Sequence, residues 1–381
     1  MLVKISAFIL ALAILLQMTL LIDVGSWYYL LLLFNCLVVI PFEKVIRLNF
    51  NVILFAFALL LSIAVNDIPT QFKPYERLIS LSLLLILFGP SFLSKRKIKF
   101  NYYLLKFFIP LLYISQVFSF ALFLSDSQIV FGRGGYTGLF AHSMIMGPLS
   151  AISFLFSFHY FLTTKKLSFS IICIISLMNI LLSSSRAALI ALVIAVIVLL
   201  YFHSSNQAQF LKKLLVIILI LFLFYPFLSP YLEGIIKKIE FSQSNGSLAY
   251  TRLMHWDTRI SEFLESPIFG IGYANDSRVS DLFYNSNDSG TVEPGSSWLV
   301  ILSMSGIFGF IFFLKILHSS LKKIKLNYKN SKVLVSVIIF YLVHFFAEGF
   351  VISGGSGLNL FFWLTLGILY SYNPIIVNET K

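Results

Sequence analysis

The chain has 381 residues, of which 59% are hydrophobic and 12% are charged. A soluble domain carries about a quarter charged residues, so a water-facing surface cannot be built from this mixture and lipid must be the solvent for most of the chain. The net charge of +12 does not point to nucleic acid, because the basic residues sit in short clusters between apolar runs, where they orient a membrane protein.

The first apolar run follows Lys4 and reaches Ile22. It attains the roughly 20 residues that span a bilayer, and no small-x-small cleavage site follows it. It therefore reads as a transmembrane helix rather than a signal peptide. Further runs fall at about 27–42, 49–65, 77–93, 104–124, 142–163, 167–183, 187–203, 213–230, 297–317, 333–352 and 357–372. Together they predict an all-α, polytopic transmembrane helix bundle of about twelve spans. Cys36 and Cys173 lie inside these runs; they read as small buried apolar residues, and no disulfide framework is indicated.

Residues 167–203 are almost continuously apolar, broken only by Ser183-Ser184-Ser185-Arg186. One helix of that length would run about 55 Å, against a hydrocarbon core of about 30 Å. A hairpin is expected, with the Ser-Ser-Ser-Arg turn at a membrane face, since Arg186 in mid-bilayer would cost several kcal/mol. The chain then divides into spans one to five (1–125), spans six to nine with the turn (126–230), a large soluble loop (231–296), and spans ten to twelve with a tail (297–381). Placing the N-terminus inside puts 19 of the 28 basic residues on the inside, with only Glu43 and Glu379 of the 16 acidic ones. That satisfies the positive-inside rule. Both termini are then cytoplasmic, and the Arg186 turn and residues 231–296 face outside.

Four outside features are candidates for chemistry. The glycine-rich loop from Gly132 through Arg133 to His142 ends at a helix start. Backbone amides there can meet an anion, or the loop is a flexible turn with a polar cap. Arg186 either snorkels to phospholipid phosphates or aims a fixed guanidinium into an outside cavity, as suits a diphosphate. Residues 248–265 read as an amphipathic helix, with Leu253, Trp256, Ile260, Phe263 and Leu264 at helical spacing. Arg252, His255 and Arg259 follow at i, i+3 and i+7 on an adjoining face. The helix either presents this basic stripe at the membrane surface, to a ligand part lipid and part anion, or simply solvates it. It ends at Ser266-Pro267, before a turn at Gly270-Ile271-Gly272.

The fourth feature is the return to the membrane through Glu293-Pro294-Gly295-Ser296-Ser297-Trp298, with Gly306-Ile307-Phe308-Gly309 inside the tenth span. Glu348 lies near the outer end of the eleventh, before Gly354-Gly355-Ser356-Gly357. An ionisable residue within a span is a functional candidate by default; the alternative is a carboxyl paired near the interface. His159, His203, His318 and His344 fall inside or on the cytoplasmic side and receive no role. No metal-ligand spacing and no nucleotide-binding glycine motif occurs, so no metal, cofactor or ATP-driven pump is expected.

Taken in order, the stretches Gly138-Leu139-Phe140-Ala141-His142, Ser184-Ser185-Arg186-Ala187-Ala188-Leu189, Arg252-Leu253-Met254-His255-Trp256, Pro267-Ile268-Phe269-Gly270-Ile271-Gly272 and Ser297-Trp298-Leu299 running to Gly306-Ile307-Phe308-Gly309 resemble the O-antigen polymerase and ligase superfamily, the Wzy-type and WaaL-type membrane glycosyltransferases. The resemblance covers about residues 130–372. It implies a GT-C-like fold in a bacterial inner membrane, acting on polyprenyl-diphosphate-linked oligosaccharide among membrane lipids, with a chain-length regulator protein as a partner. By motif position Arg186 and Arg252 would bind the diphosphate, with Arg133 and Arg259 assisting and Trp256 and His255 packing on sugar or prenyl. Paired guanidiniums would stabilise the departing diphosphate without a metal.

One departure bears on the branch. The family's ligases resemble one another in a His-Asn pair at the start of the span after the large loop, where this chain has Ser296-Ser297-Trp298. That favours a polymerase of O-antigen, capsule or exopolysaccharide, and leaves the catalytic base among Glu293, His142 and Glu348. The alternatives are ligase-type transfer to a different acceptor and a flippase for the same lipid. A transporter would tend to place polar residues at mid-bilayer and to show repeats.

Overall fold

The computed structural model describes residues 1–22, 24–25, 27–40, 47–125, 131–132, 135–247, 250–277, 295–322, 324, 330–355 and 357–372. Among these it forms thirteen α-helices: α1 (Leu2–Gln17), α2 (Trp27–Val39), α3 (Phe50–Ala64), α4 (Pro74–Leu87), α5 (Lys95–Leu124), α6 (Ser143–Thr164), α7 (Leu167–Leu182), α8 (Arg186–Phe202), α9 (Gln207–Ser244), α10 (Tyr250–Glu265), α11 (Ser297–Leu321), α12 (Ser331–His344) and α13 (Gly357–Ser371). Each of the twelve apolar runs falls on one of them, and α10 is the amphipathic segment. By length and apolarity α5, α6 and α11 can each cross a bilayer, and α9 is a fourth if its two arms count as one span. The helices α1, α2, α3, α7, α8, α12 and α13 are apolar but shorter. The architecture is that of a helical membrane protein.

At the centre stands α13, every residue of which is buried. A helix apolar on all sides belongs inside a bundle, and α13 touches α1, α4, α5, α6, α11 and α12. Polar side chains tie neighbouring helices together within this apolar medium: Asn179 on α7 donates to the backbone and side-chain oxygens of Gln116 on α5, at 2.9 and 2.8 Å, and Ser150 on α6 donates to the same Gln116 Oε1 at 2.7 Å. Where lipid supplies no alternative partner, such bonds fix which helix faces which.

Two departures from the sequence pattern position the site. The ninth apolar run does not give way to a loop at residue 231: α9 bends by 54° between Ile220 and Phe222 and continues as helix to Ser244. The tenth run is not one unbroken helix, because Gly306 (φ 61°, ψ −170°) interrupts α11. Residues 266–271 dock into that break. Ile271 N donates to Ser303 O at 2.8 Å, Ile307 N to Pro267 O at 2.8 Å and Phe308 N to Ile268 O at 3.3 Å. A Cβ on Gly306 would overlap the Ile268 carbonyl, and one on Gly270 would lie 2.5 Å from Ser305 N. The Pro-Ile-Phe-Gly-Ile-Gly and Gly-Ile-Phe-Gly stretches are thus two halves of one backbone joint.

Candidate functional site

The Ser183–Ser185 turn joins α7 to α8 as a hairpin. Ser184 occupies the left-handed region at φ 53°, and the Ser185 side chain caps α8 by accepting from Ala188 N. Arg186 is therefore the first residue of its helix. Three glycines admit backbone close to this turn. A Cβ on Gly135 would stand 2.7 Å from Ser183 O, one on Gly147 2.7 Å from Ser185 Cβ, and one on Gly234 would overlap Ser184 Oγ. The approach at Gly234 lays the second arm of α9 along the turn. Lys238 and Ser242 follow Gly234 at i+4 and i+8, so they share its face. Lys238 Nζ donates to Ser184 O at 3.0 Å. Arg186 Nη1 donates to Lys238 O at 3.2 Å and to Ser242 Oγ at 3.0 Å.

Arg252, on α10, completes the cluster. Its Nη2 donates to Glu348 Oε1 at 2.5 Å, with both side chains largely withdrawn from solvent. Burial, and then the Arg252 guanidinium, hold Arg186 below its ordinary value. Lys238 is lowered by burial, then by Arg186, then by Arg252. Three cations thus share one electrostatic field, and Glu348 is paired with Arg252 among them. Like charges gathered in a partly desolvated place repel unless an anion joins them, and a fixed fork of donors is what phosphate oxygens take best. Sequence reasoning brought forward Arg186 and Arg252 but missed Lys238. The signal was present in Leu232, Ile235, Ile236 and Ile239 at helical spacing, with the Glu233–Lys237 pair at i, i+4.

Glu348 sits in the turn after α12, and α11 fixes that turn. Ser297 Oγ and N donate to Glu348 O at 2.7 and 2.9 Å. Ser296 Oγ donates to Phe345 O at 3.0 Å, and Trp298 Nε1 to Leu342 O at 3.1 Å. The last carbonyls of a helix have no intrahelical partner, and here the start of α11 supplies some. Ser296 and Ser297, which stand where a His-Asn pair would be expected of a ligase, are buried and hold the backbone of the turn that carries Glu348.

Other expected residues are placed differently. Arg259 is fully buried, its Nη1 on Glu262 Oε2 at 2.8 Å and its Nη2 on Asp276 Oδ2 at 2.5 Å. This corrects the expectation of a ligand-facing stripe shared with Arg252: the segment 266–277 folds back over the end of α10 and brings Asp276 to the guanidinium. His255 is half-buried, with Gly295 (φ 76°) packed so closely that a Cβ there would overlap it. Trp256 is also half-buried, and its Nε1 finds no acceptor among the described residues. His142 caps α6: its Nδ1 accepts from Met144 N at 3.1 Å, which assigns the proton of the neutral ring to Nε2. His142 and Glu348 line a common cavity of about 1070 Å³. Arg133 and Glu293 lie outside the described residues. Among the described residues no three His, Cys, Asp or Glu side chains are grouped to hold a metal ion.

Three cations thus meet where a tight inter-helix turn, a bent helix and an amphipathic helix come together, an arrangement whose chemistry suits an anion. Residues 171–314 match the family model described as O-antigen ligase. The match runs from α7 into α11, taking in the turn, both arms of α9, α10 and the joint at Gly306. It supports the O-antigen polymerase and ligase superfamily for this chain and does not separate polymerase from ligase. Comparison with curated proteins finds no match.

Proposed function

We propose that the protein is a polymerase of surface polysaccharide, transferring a glycan from polyprenyl diphosphate onto another lipid-linked repeat unit at the outer face of the cell membrane. The observation that carries this reading is the convergence of Arg186, Lys238 and Arg252. In the step envisaged, an acceptor hydroxyl oxygen bonds to the anomeric carbon of the donor. The bond from that carbon to the diphosphate oxygen breaks, and the electron pair leaves with polyprenyl diphosphate. Charge that develops on the leaving group meets donors already in place, which is where preorganised cations contribute most. This reading routes no step through a metal.

The hydroxyl proton passes to Glu348. His142 is the weaker choice, because its Nδ1 lone pair is already engaged in capping α6. Glu348 is anchored through its backbone and already sits against Arg252, beside the proposed leaving group.

The test is reconstitution of the purified protein with lipid-linked repeat units, read as glycan length. Arg186→Ala and Arg252→Ala should each abolish elongation, and wild-type rates in both would refute the assignment. Transfer to a different acceptor, the ligase reaction, is supported by the description of the matching family and opposed by Ser296-Ser297 at the histidine position. Deletion strains separate the two: single lipid-linked repeats accumulate when a polymerase is lost, and long lipid-linked polymer when a ligase is lost.

A further inference from the structure

The cavity of about 1070 Å³ is not lined by the three cations. Its walls are chiefly element ends: the C-terminal end of α1, the N-terminal ends of α2, α4 and α6, and the turn between α12 and α13, with Tyr273 and Ala274 and the α11 residues Val300 and Met304 completing the lining. Most of these lie outside the stretch that matches the family model. The wall from the α12–α13 turn includes Gly354, Gly355 and Gly357, a motif that the proposed reaction leaves without a role. A Cβ on Gly355 would come 2.9 Å from the Tyr29 hydroxyl, and one on Gly354 would come 3.1 Å from Arg77 O. The glycines keep the turn pressed to α2 and α4 while leaving Tyr29 and Arg77 on the cavity wall. Tyr273, itself on the cavity wall, anchors the turn by donating to Ile352 O at 2.8 Å.

The lining mixes aromatic rings with groups of both charge signs, Lys73 and Arg77 against Glu76 and Glu348, and with the imidazole of His142. That mixture suits a ligand with many hydroxyls and little net charge: donors and acceptors bind the hydroxyls, and ring faces cover the carbon skeleton. The size lies just above the range for small-ligand pockets, which is about 300–1,000 Å³. Glu348 is the link between the two regions. It lines the cavity and is bonded to Arg252 of the cation cluster.

We propose that this cavity is the acceptor site, receiving the terminal sugar of a largely uncharged, lipid-linked glycan. The inference rests on the glycosyltransferase reading given above. The acceptor hydroxyl then lies on the cavity side of Glu348 and the diphosphate on the other. Its proton moves to the Glu348 carboxylate as its oxygen bonds the anomeric carbon and the diphosphate departs with the bonding pair. Because the cavity draws mainly on residues outside the stretch that matches the family model, it also sets which sugar is accepted, while the cation cluster serves any diphosphate donor.

Two probes separate the cavity from the cations. One is the oligosaccharide released by mild acid from the lipid-linked repeat unit, which lacks the diphosphate. The other is polyprenyl diphosphate alone, which lacks the sugar. Binding of each is measured to the full-length protein and to Tyr29→Ala, Arg77→Ala and Arg186→Ala. The cavity variants should weaken the released oligosaccharide roughly tenfold, the loss of one well-made contact, and leave polyprenyl diphosphate unchanged. Arg186→Ala should do the reverse, so each probe certifies the fold of the variants that lose the other. Unchanged oligosaccharide binding in both cavity variants overturns the acceptor site, even if Arg186→Ala still loses the diphosphate. Unchanged diphosphate binding in Arg186→Ala would instead strike at the donor site alone.

Discussion

Lys238 is the residue whose charge is most exposed to test. Burial and two neighbouring guanidiniums lower it from the ordinary value of 10.5, so it sheds its proton before a solvated lysine does. A bound diphosphate would favour the protonated form, and linkage then requires diphosphate affinity to fall as pH rises through the lowered pKa. Lys238→Ala should raise the donor KM by about tenfold and flatten that alkaline decline. Lys238→Arg should keep the affinity and also flatten the decline, since a guanidinium stays charged. An alkaline profile identical in wild type and both variants would remove Lys238 from the site. Arg186 stood out in the sequence because a cation at a forced turn between apolar runs has few explanations. Lys238 did not, because Pro226, Pro230 and Gly234 read as the end of a helix that in fact continues past all three.

At the scale of elements, the expected α10 and its observed bounds agree closely, and the hairpin between α7 and α8 follows from a length argument that admits no other solution. The joint at Gly306 was not legible, because a glycine in an apolar run looks the same in a straight helix and in a broken one. The fate of Arg259 was not legible either. Arg252 and Arg259 lie seven residues apart, about 10 Å along one helix face, yet only Arg259 is sealed, by an aspartate brought over from residue 276. This difference carries a prediction. Removing one member of a buried ion-pair group leaves the others uncompensated and costs about 3–5 kcal/mol. Arg259→Ala should therefore lower the thermal stability of the solubilised protein markedly, while Arg186→Ala should leave stability near wild type and remove activity. An Arg259→Ala protein of normal stability and impaired diphosphate binding would return Arg259 to the ligand side.

For the molecule as a whole, sidedness is the claim on which the chemistry depends. The cation cluster and the cavity are assembled from helix ends that the charge pattern assigns to the outside, while Lys165 and Lys166 after α6, and Lys212 and Lys213 at the start of α9, mark the opposite ends. Adjacent helices joined by short turns, such as α6 with α7 and α7 with α8, pack against each other, so the ends of these neighbours alternate between the two faces. The shorter apolar helices make the count itself worth measuring, since losing or gaining one crossing would move every later loop to the other face. Cys36 and Cys173 are both buried, which leaves little background for cysteines placed in the loops. Asn245→Cys, at the end of α9, should react with a membrane-impermeant maleimide on intact spheroplasts. Thr164→Cys and Ser205→Cys, both at exposed positions on the other face, should react only after permeabilisation. The inverse pattern would put the cation cluster in the cytoplasm, and labelling of Thr164→Cys and Ser205→Cys from different sides would break the hairpin of α7 and α8. The expected pattern leaves the cations, Glu348 and the cavity on the face where a lipid-linked glycan, once carried across the membrane, presents both its diphosphate and its terminal sugar.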